Sequence, residues 1–225
     1  MTDADVERLA ALDIRTVVDF LTEAERAARG PDRLPAGVRK LDLPMQAGNL
    51  GELAGVVSEA RRTGDFSEIS PDINPDIHRL LIVEGRDYYA TLLRELADPG
   101  KRPLVFHCSH GIHRTGTATA ILLSALGVPW ETIREDYLLS NVYRQDEIVR
   151  RVGELRQLYA SNNDMPVEQV DSTNIEAFYI LQGSYIDAAL DRAITDYGSM
   201  QAYIRDGLGI SDAEVLQLQQ QLLEH

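Results

Sequence analysis

Hydrophobic and polar positions follow two rhythms along this chain. In the first half, short β-branched runs stand between amphipathic stretches. Asp3 to Leu12 has helical periodicity, and IRTVVDF (Ile14 to Phe20) reads as a strand. Thr22 and Glu25 have the spacing of a capping box, and Gly30-Pro31 ends the helix they open. Val38 to Leu43 predicts a second strand, stopped by Pro44, and Asn49 to Arg62 predicts a helix. Gly64 to Pro75 (GDFSEISPDINP) is polar and carries two prolines, so it reads as a surface loop, and loops of such length are often functional. Asp76 to Ala97 predicts one long helix that continues through Gly85. Pro103 to His107 (PLVFH) is a short apolar run after a turn and predicts a buried central strand.

From Arg114 onward the rhythm is almost wholly helical. Arg114 to Leu126 is rich in small and apolar residues and predicts a helix buried on most sides. Trp130 opens another, to about Leu139. Tyr143 to Leu223 reads as helices broken near Asn162–Pro166, Gly183, Gly198 and Gly207–Gly209. Strands alternating with helices, then a helical block, predict an α/β fold: a small, mostly parallel central sheet flanked by helices, with a helical C-terminal extension. The 225 residues suit one domain over 1–225, with an α/β core over about 1–142 and the extension over about 143–225.

Charge narrows the partners. With 36 acidic and 22 basic residues the formal net charge is −14, a field that repels nucleic acids and anionic membrane surfaces. A small anionic substrate still fits if positive groups converge locally. Nearly all the basic residues are arginines, whose fork grips phosphate or carboxylate bidentately; most are read as compositional bias. No apolar run approaches the roughly 18 residues of a membrane helix. The acidic N-terminus lacks the layout of a secretory signal, and the one cysteine suits a reducing compartment, so a cytoplasmic location is expected.

That cysteine lies in VFHCSHGIHRTG (Val105 to Gly116). A predicted strand leads to Cys108; five residues later Arg114-Thr115-Gly116 begins a predicted helix. A helix N-terminus offers unpaired N–H groups and partial positive charge, and a loop around it makes an anion-binding concavity. The same field favours a thiolate at Cys108. Ser109, His110, Gly111, Ile112 and His113 would form the cradle, with Arg114 reaching back over it. Thr115 can hydrogen-bond the sulfur, and His107 can order the loop or tune the thiolate. This layout predicts attack of the thiolate on phosphorus, a phosphocysteine, and its hydrolysis by water. Such chemistry needs no metal or organic cofactor. Two other readings stay open: a phosphate-binding module using the same cradle without efficient catalysis, and a metal site built from Cys108, His110 and His113.

HCSHGIHRTG resembles the active-site loop of the cysteine-dependent protein tyrosine phosphatases. LAALDIRTVVDFLTEAER, LGVPWETIREDYLLSN and YGSMQAYIRDGLGIS are similar to a bacterial branch of atypical tyrosine and dual-specificity phosphatases, some of which act on phosphoinositides. The resemblance implies a hydrolase acting on phosphorylated proteins or small phosphate esters, with phosphotyrosine favoured over phosphoserine, phosphothreonine and phosphoinositides. It also marks Asp19 as a supporting residue. That branch commonly has Lys-Asp before the arginine, the aspartate being a suggested proton donor. Ile112 and His113 stand there in this chain, which makes His113 the first candidate general acid, ahead of Asp42, Asp72 and Asp76.

Overall fold

The computed structural model describes residues 2–46 and 48–223. Three parallel strands, β1 (Thr16–Asp19), β2 (Arg39–Asp42) and β3 (Leu104–His107), form a sheet in the order β2-β1-β3. The chain leaves β1 for β2 on one side and returns as β3 on the other. The crevice beyond the carboxyl ends of β1 and β3 is therefore a topological switch point, where open parallel sheets bind their ligands. The register places Asp19 beside both Asp42 and His107 at that end.

The central strand is β1, not the run at Pro103–His107. All four residues of β1 are buried, whereas β3 is an edge strand of intermediate burial. The apolar run of β3 had read as central because Phe106 and its neighbours pack against helices on the faces, a burial that local sequence does not distinguish from central placement.

Around the sheet lie α1 (Asp3–Ala11), α2 (Glu23–Arg29), α3 (Gly48–Thr63), α4 (Ile73–Glu84), α5 (Arg86–Ala97), α6 (Arg114–Ala125), α7 (Trp130–Tyr143) and α8 (Gln145–Asn162). They are followed by α9 (Thr173–Tyr179), α10 (Gly183–Tyr197), the single turn α11 (Met200–Ala202), a π-helical turn over Tyr203–Gly207, and α12 (Asp212–Leu222). The α/β class, the parallel sheet and the helical C-terminal half are as the sequence predicts. α10 packs along α4, so the C-terminal helices wrap the core.

Two expectations are corrected. The helix expected over Asp76–Ala97 is two helices meeting at Gly85. A Cβ there would lie 2.4 Å from the Leu81 carbonyl oxygen and 2.6 Å from the Tyr89 ring, so glycine permits the close approach. The proline-broken loop is shorter than its prolines imply and is pinned. Pro75 sits in the first turn of α4, where its missing N–H costs no helical bond. Phe66 and Ile69 are buried, and the Phe66 ring packs 5.8 Å from that of Phe178, so this segment is not a free flap over the sheet.

Candidate active site

The loop from Cys108 to His113 joins β3 to α6, as its spacing predicts. Gly111 turns it with φ +74, the left-handed region that glycine adopts without strain. The Ile112 side chain is sunk in the core at 1% exposure, leaving only its backbone to face a ligand. His113 precedes the first turn of α6 and accepts a hydrogen bond at its carbonyl from Thr117 N–H, 2.8 Å away.

Cys108 lies at the base of this loop. Burial pushes its thiol pKa up, but the Arg114 charge, the Thr115 hydroxyl and the amides of His110 and Thr115 outweigh that and bring it below the ordinary value. Thr115 Oγ1 is buried beside the sulfur, with no competing partner among the described residues. His107 lies behind the loop, its Nδ1 3.2 Å from the Cys108 carbonyl oxygen and its Nε2 3.4 Å from Asp32 Oδ2.

Arg114 is held by a residue that sequence reasoning assigned only to a helix cap. Nη1 and Nη2 donate to Glu25 Oε2 and Oε1 at 2.6 and 2.7 Å, and Nη1 also donates to the Phe20 carbonyl at 2.9 Å. Glu25 at the same time completes the predicted capping box, accepting from Thr22 N–H at 2.9 Å. Burial would raise the Glu25 pKa, but Arg114 and the Thr22 amide hold it at about 2. Glu25 occupies the end-on edge of the guanidinium. The Nε–H and the second Nη2 proton, on the adjacent edge, are left for an incoming anion.

Asp19 is fully buried. Its Oδ1 accepts from Leu21 N–H at 2.8 Å, and its Oδ2 lies 3.1 Å from Lys40 Nζ and 3.4 Å from Arg26 Nε. It thus fixes the turn leading from β1 to Glu25. Asp19, Asp32 and His107 bring three potential metal-ligand atoms together, but Lys40 Nζ lies 3.1 Å from both carboxylates and supplies the positive charge. Cys108, His110 and His113 do not form such a group among the described residues. His110 Nδ1 faces Ser109 Oγ at 2.9 Å and Arg61 Nη2 at 3.2 Å, so the metal reading of this trio finds no converging ligands.

His113 is partly buried, packed against Phe178 and His78 with ring centroids 5.5 Å away in each case. Its Nε2 is 2.6 Å from Asn74 Oδ1, and the Asn74 amide is oriented by donating Nδ2–H to the Ala177 carbonyl at 2.7 Å. Nε2 therefore carries the proton of the neutral ring and donates it to Asn74. Burial, then the charges of His78, Arg61, Arg114 and His110, push the His113 pKa well below its ordinary value. The protonated form expected of a general acid is not favoured here. Asp42 sits half-exposed between Arg26 and Lys40, at 3.1 and 3.2 Å. Asp72 and Asp76 are exposed at the start of α4, Asp76 paired with Arg79 at 2.7 Å. None of these three lines the cleft above the loop.

That cleft has a polar floor of Ser109, Glu25, Arg114 and His113, and walls that include Leu50, Leu53 and Val57 of α3, Ile77 and Leu81 of α4, and Phe178 of α9. An anionic floor ligand with an apolar group above it matches this division. Arg61, also on the rim, and Asn74 were missed in the sequence, because each acts through partners dozens of residues away. Among other stretches noted for their resemblance, Tyr137 contacts His78 Nε2 at 3.1 Å, and Asn141 bonds both backbone groups of Leu181 at 2.8 Å. Both are packing roles.

Comparison with known proteins agrees with this geometry. The sequence model of the tyrosine phosphatase family matches residues 1–224. The triple specificity protein phosphatase PtpB of Mycobacterium tuberculosis is 28% identical, over 99% of this chain and 87% of its own length. A tyrosine-protein phosphatase of Nostoc commune is 23% identical, over 99% of this chain and 70% of its own.

Proposed function

The chain belongs to the tyrosine phosphatase family, and we propose that it hydrolyses phosphotyrosine through a phosphocysteine at Cys108. The observation that carries this reading is the place of the thiol, at the base of the loop between β3 and α6 with the Arg114 charge, the Thr115 hydroxyl and two amides beside it, which lower its pKa against the effect of burial. The thiolate attacks phosphorus, the P–S bond forms, and the phosphorus–phenol oxygen bond breaks. The free edge of Arg114 and the loop amides from Ser109 to His113 hold the non-bridging oxygens as charge redistributes. Water then attacks phosphorus. The sulfur leaves, assisted by the Thr115 hydroxyl, and inorganic phosphate departs.

The apolar walls favour an aryl group above the phosphate, so phosphotyrosine is preferred over phosphoserine and phosphothreonine. The mycobacterial relative is named for a triple specificity, and aliphatic esters and phosphoinositides are slower substrates on this reading. With His113 neutral and tied to Asn74, the leaving phenolate takes its proton from solvent at the cleft mouth. The same lack of a positioned acid favours the second reading, a phosphate-binding module that turns over poorly.

Hydrolysis of a generic aryl phosphate by wild type and Cys108→Ser, with and without chelator, decides between them. The phosphatase reading expects activity lost in the variant alone. Absence of activity in wild type, with phosphopeptide binding retained, supports the binding module. Loss of activity on chelation supports a metal.

A further inference from the structure

Although the chain carries a formal net charge of −14, five arginines lie near enough to the cradle loop for their charges to act on Cys108 or His110. Arg114 belongs to the cradle and is neutralised by Glu25. The other four are Arg29, Arg61, Arg144 and Arg151, and their charges act on His110. Together with burial, which is the larger cause, their charges hold that ring neutral, with a pKa of about 2. Arg29 Nη1 donates to the Ser109 carbonyl at 3.3 Å, and Arg151 is paired with Glu154 at 3.1 Å. Arg61 donates to His110 and stacks its guanidinium 5.2 Å from the centre of the Phe178 ring and 6.0 Å from that of Tyr179.

Three buried donors in this cluster have no hydrogen-bond partner among the described residues, Arg61 Nε and both Nη atoms of Arg144, and the buried Tyr179 hydroxyl lies beside Arg61 and Arg151 with no acceptor for its own proton. Neither Arg61 nor Arg144 has a salt bridge there. Buried guanidinium N–H groups are normally paired, because leaving them dry and unbonded is costly. Arg61 bonds His110 and stacks on Tyr179, whose ring lies 6.0 Å from that of His110, and the Arg144 charge acts on the same two residues, so these donors stand beside the cradle loop and suit a multiply charged oxyanion.

We propose that Arg61, Arg144 and Tyr179 form a second anion subsite beside the Cys108 cradle, and that the preferred substrate is a peptide with a second phosphorylated residue next to its phosphotyrosine. The inference rests on the phosphatase reading above for the identity of the first site. A phosphate dianion suits the subsite better than a carboxylate, since it brings more charge and more acceptor oxygens to these donors. A peptide is favoured over a lipid headgroup because the chain's acidic field opposes approach to an anionic bilayer. His110 and Ser109 are shared between the two sites, which brings the second phosphate within an adjacent residue's reach.

The test measures fluorescence anisotropy of labelled peptides with the Cys108→Ser protein, which binds without turnover. One peptide carries phosphotyrosine alone; the other carries phosphotyrosine with an adjacent phosphothreonine. The doubly phosphorylated peptide should bind roughly tenfold tighter or more. That ratio should fall toward one in Arg144→Gln and in Tyr179→Phe, the latter removing only a hydroxyl, and recover in part in Arg144→Lys. A structural lesion would weaken both peptides alike. A ratio near one in the parent protein, or a ratio unchanged in both variants, overturns the proposal. So does an Arg144-dependent preference for phosphoinositide vesicles over either peptide. Hydrolysis of the singly phosphorylated peptide by wild type is followed in parallel. Its absence would count against the phosphatase reading, while the binding ratio still decides the subsite.

Discussion

Glu25 and Arg114 meet in a two-pronged ion pair, 2.6 and 2.7 Å, at the floor of the cleft. One carboxylate thereby closes the N-terminus of α2 and aims the phosphate-gripping guanidinium. Glu25→Gln keeps the size and one acceptor but removes the charge. Its kcat/KM for aryl phosphates should fall about 10- to 100-fold, as expected when a positioning contact loosens, with Arg114 otherwise intact. Steady-state kinetics of the variant against wild type checks this.

The same pair makes stability depend on pH. The Glu25 pKa is about 2 in the folded chain against an ordinary 4.5, and its side chain is only 16% exposed. A depressed carboxyl contributes stability that is full above its unfolded pKa and is lost as pH falls from 4.5 toward 2. The contribution is roughly 3 kcal/mol at neutral pH. Urea unfolding at pH 7 and near pH 3 should show a smaller acid loss in Glu25→Gln than in wild type.

Three histidines add an earlier acid limb. His78 and His110 are held neutral by burial, with pKa values of about 3 and about 2, and the His113 pKa is also pushed down. The unfolded chain binds protons at these positions below about 6.5 while the folded chain does not, so stability rises with pH over that window. Each histidine contributes a slope of about 1.4 kcal/mol per pH unit. His78 is the cleanest probe, bonded between Thr117 Oγ1 at 2.8 Å and Tyr137 Oη at 3.1 Å. His78→Gln should destabilise at pH 7 yet flatten the decline between pH 6 and 5, measured by denaturant midpoints.

Much of the site was legible because it is local. Cys108, the five-residue loop and Arg114 sit within one strand–loop–helix passage, and the thiolate-favouring field follows from that passage alone. The capping box at Thr22 and Glu25 was equally legible. Its second duty was not, since it depends on β1 and β3 being neighbours and on a contact spanning 89 positions. An acid in the first helical turn after a strand that flanks the loop is the signal that could have raised Glu25. The break at Gly85 escaped because helical periodicity passes through it unchanged, and the reason for glycine lies in the Tyr89 ring folded over it. His113 lines the cleft as its place in the loop suggests, but the neighbours that hold its ring neutral, Asn74, His78 and Phe178, come from helices far along the chain and were not legible.

Proton supply gives a further expectation. Without a positioned acid, the rate of the first chemical step should depend steeply on the leaving group. Across a series of substituted phenyl phosphates, kcat/KM should fall as the phenol pKa rises. His113→Asn should leave that slope unchanged. A flat dependence in wild type that becomes steep in His113→Asn would assign proton donation to His113 after all.

The central claim is a covalent phosphoryl group on Cys108, and rapid acid quench during turnover of an aryl phosphate, followed by peptide mass spectrometry, tests it most directly. The account predicts one phosphoryl group on the peptide containing Cys108 in wild type, accumulating further in Thr115→Ala, and none in Cys108→Ser. Turnover by wild type with no phosphoryl group on that peptide, together with activity retained in Cys108→Ser, would contradict it.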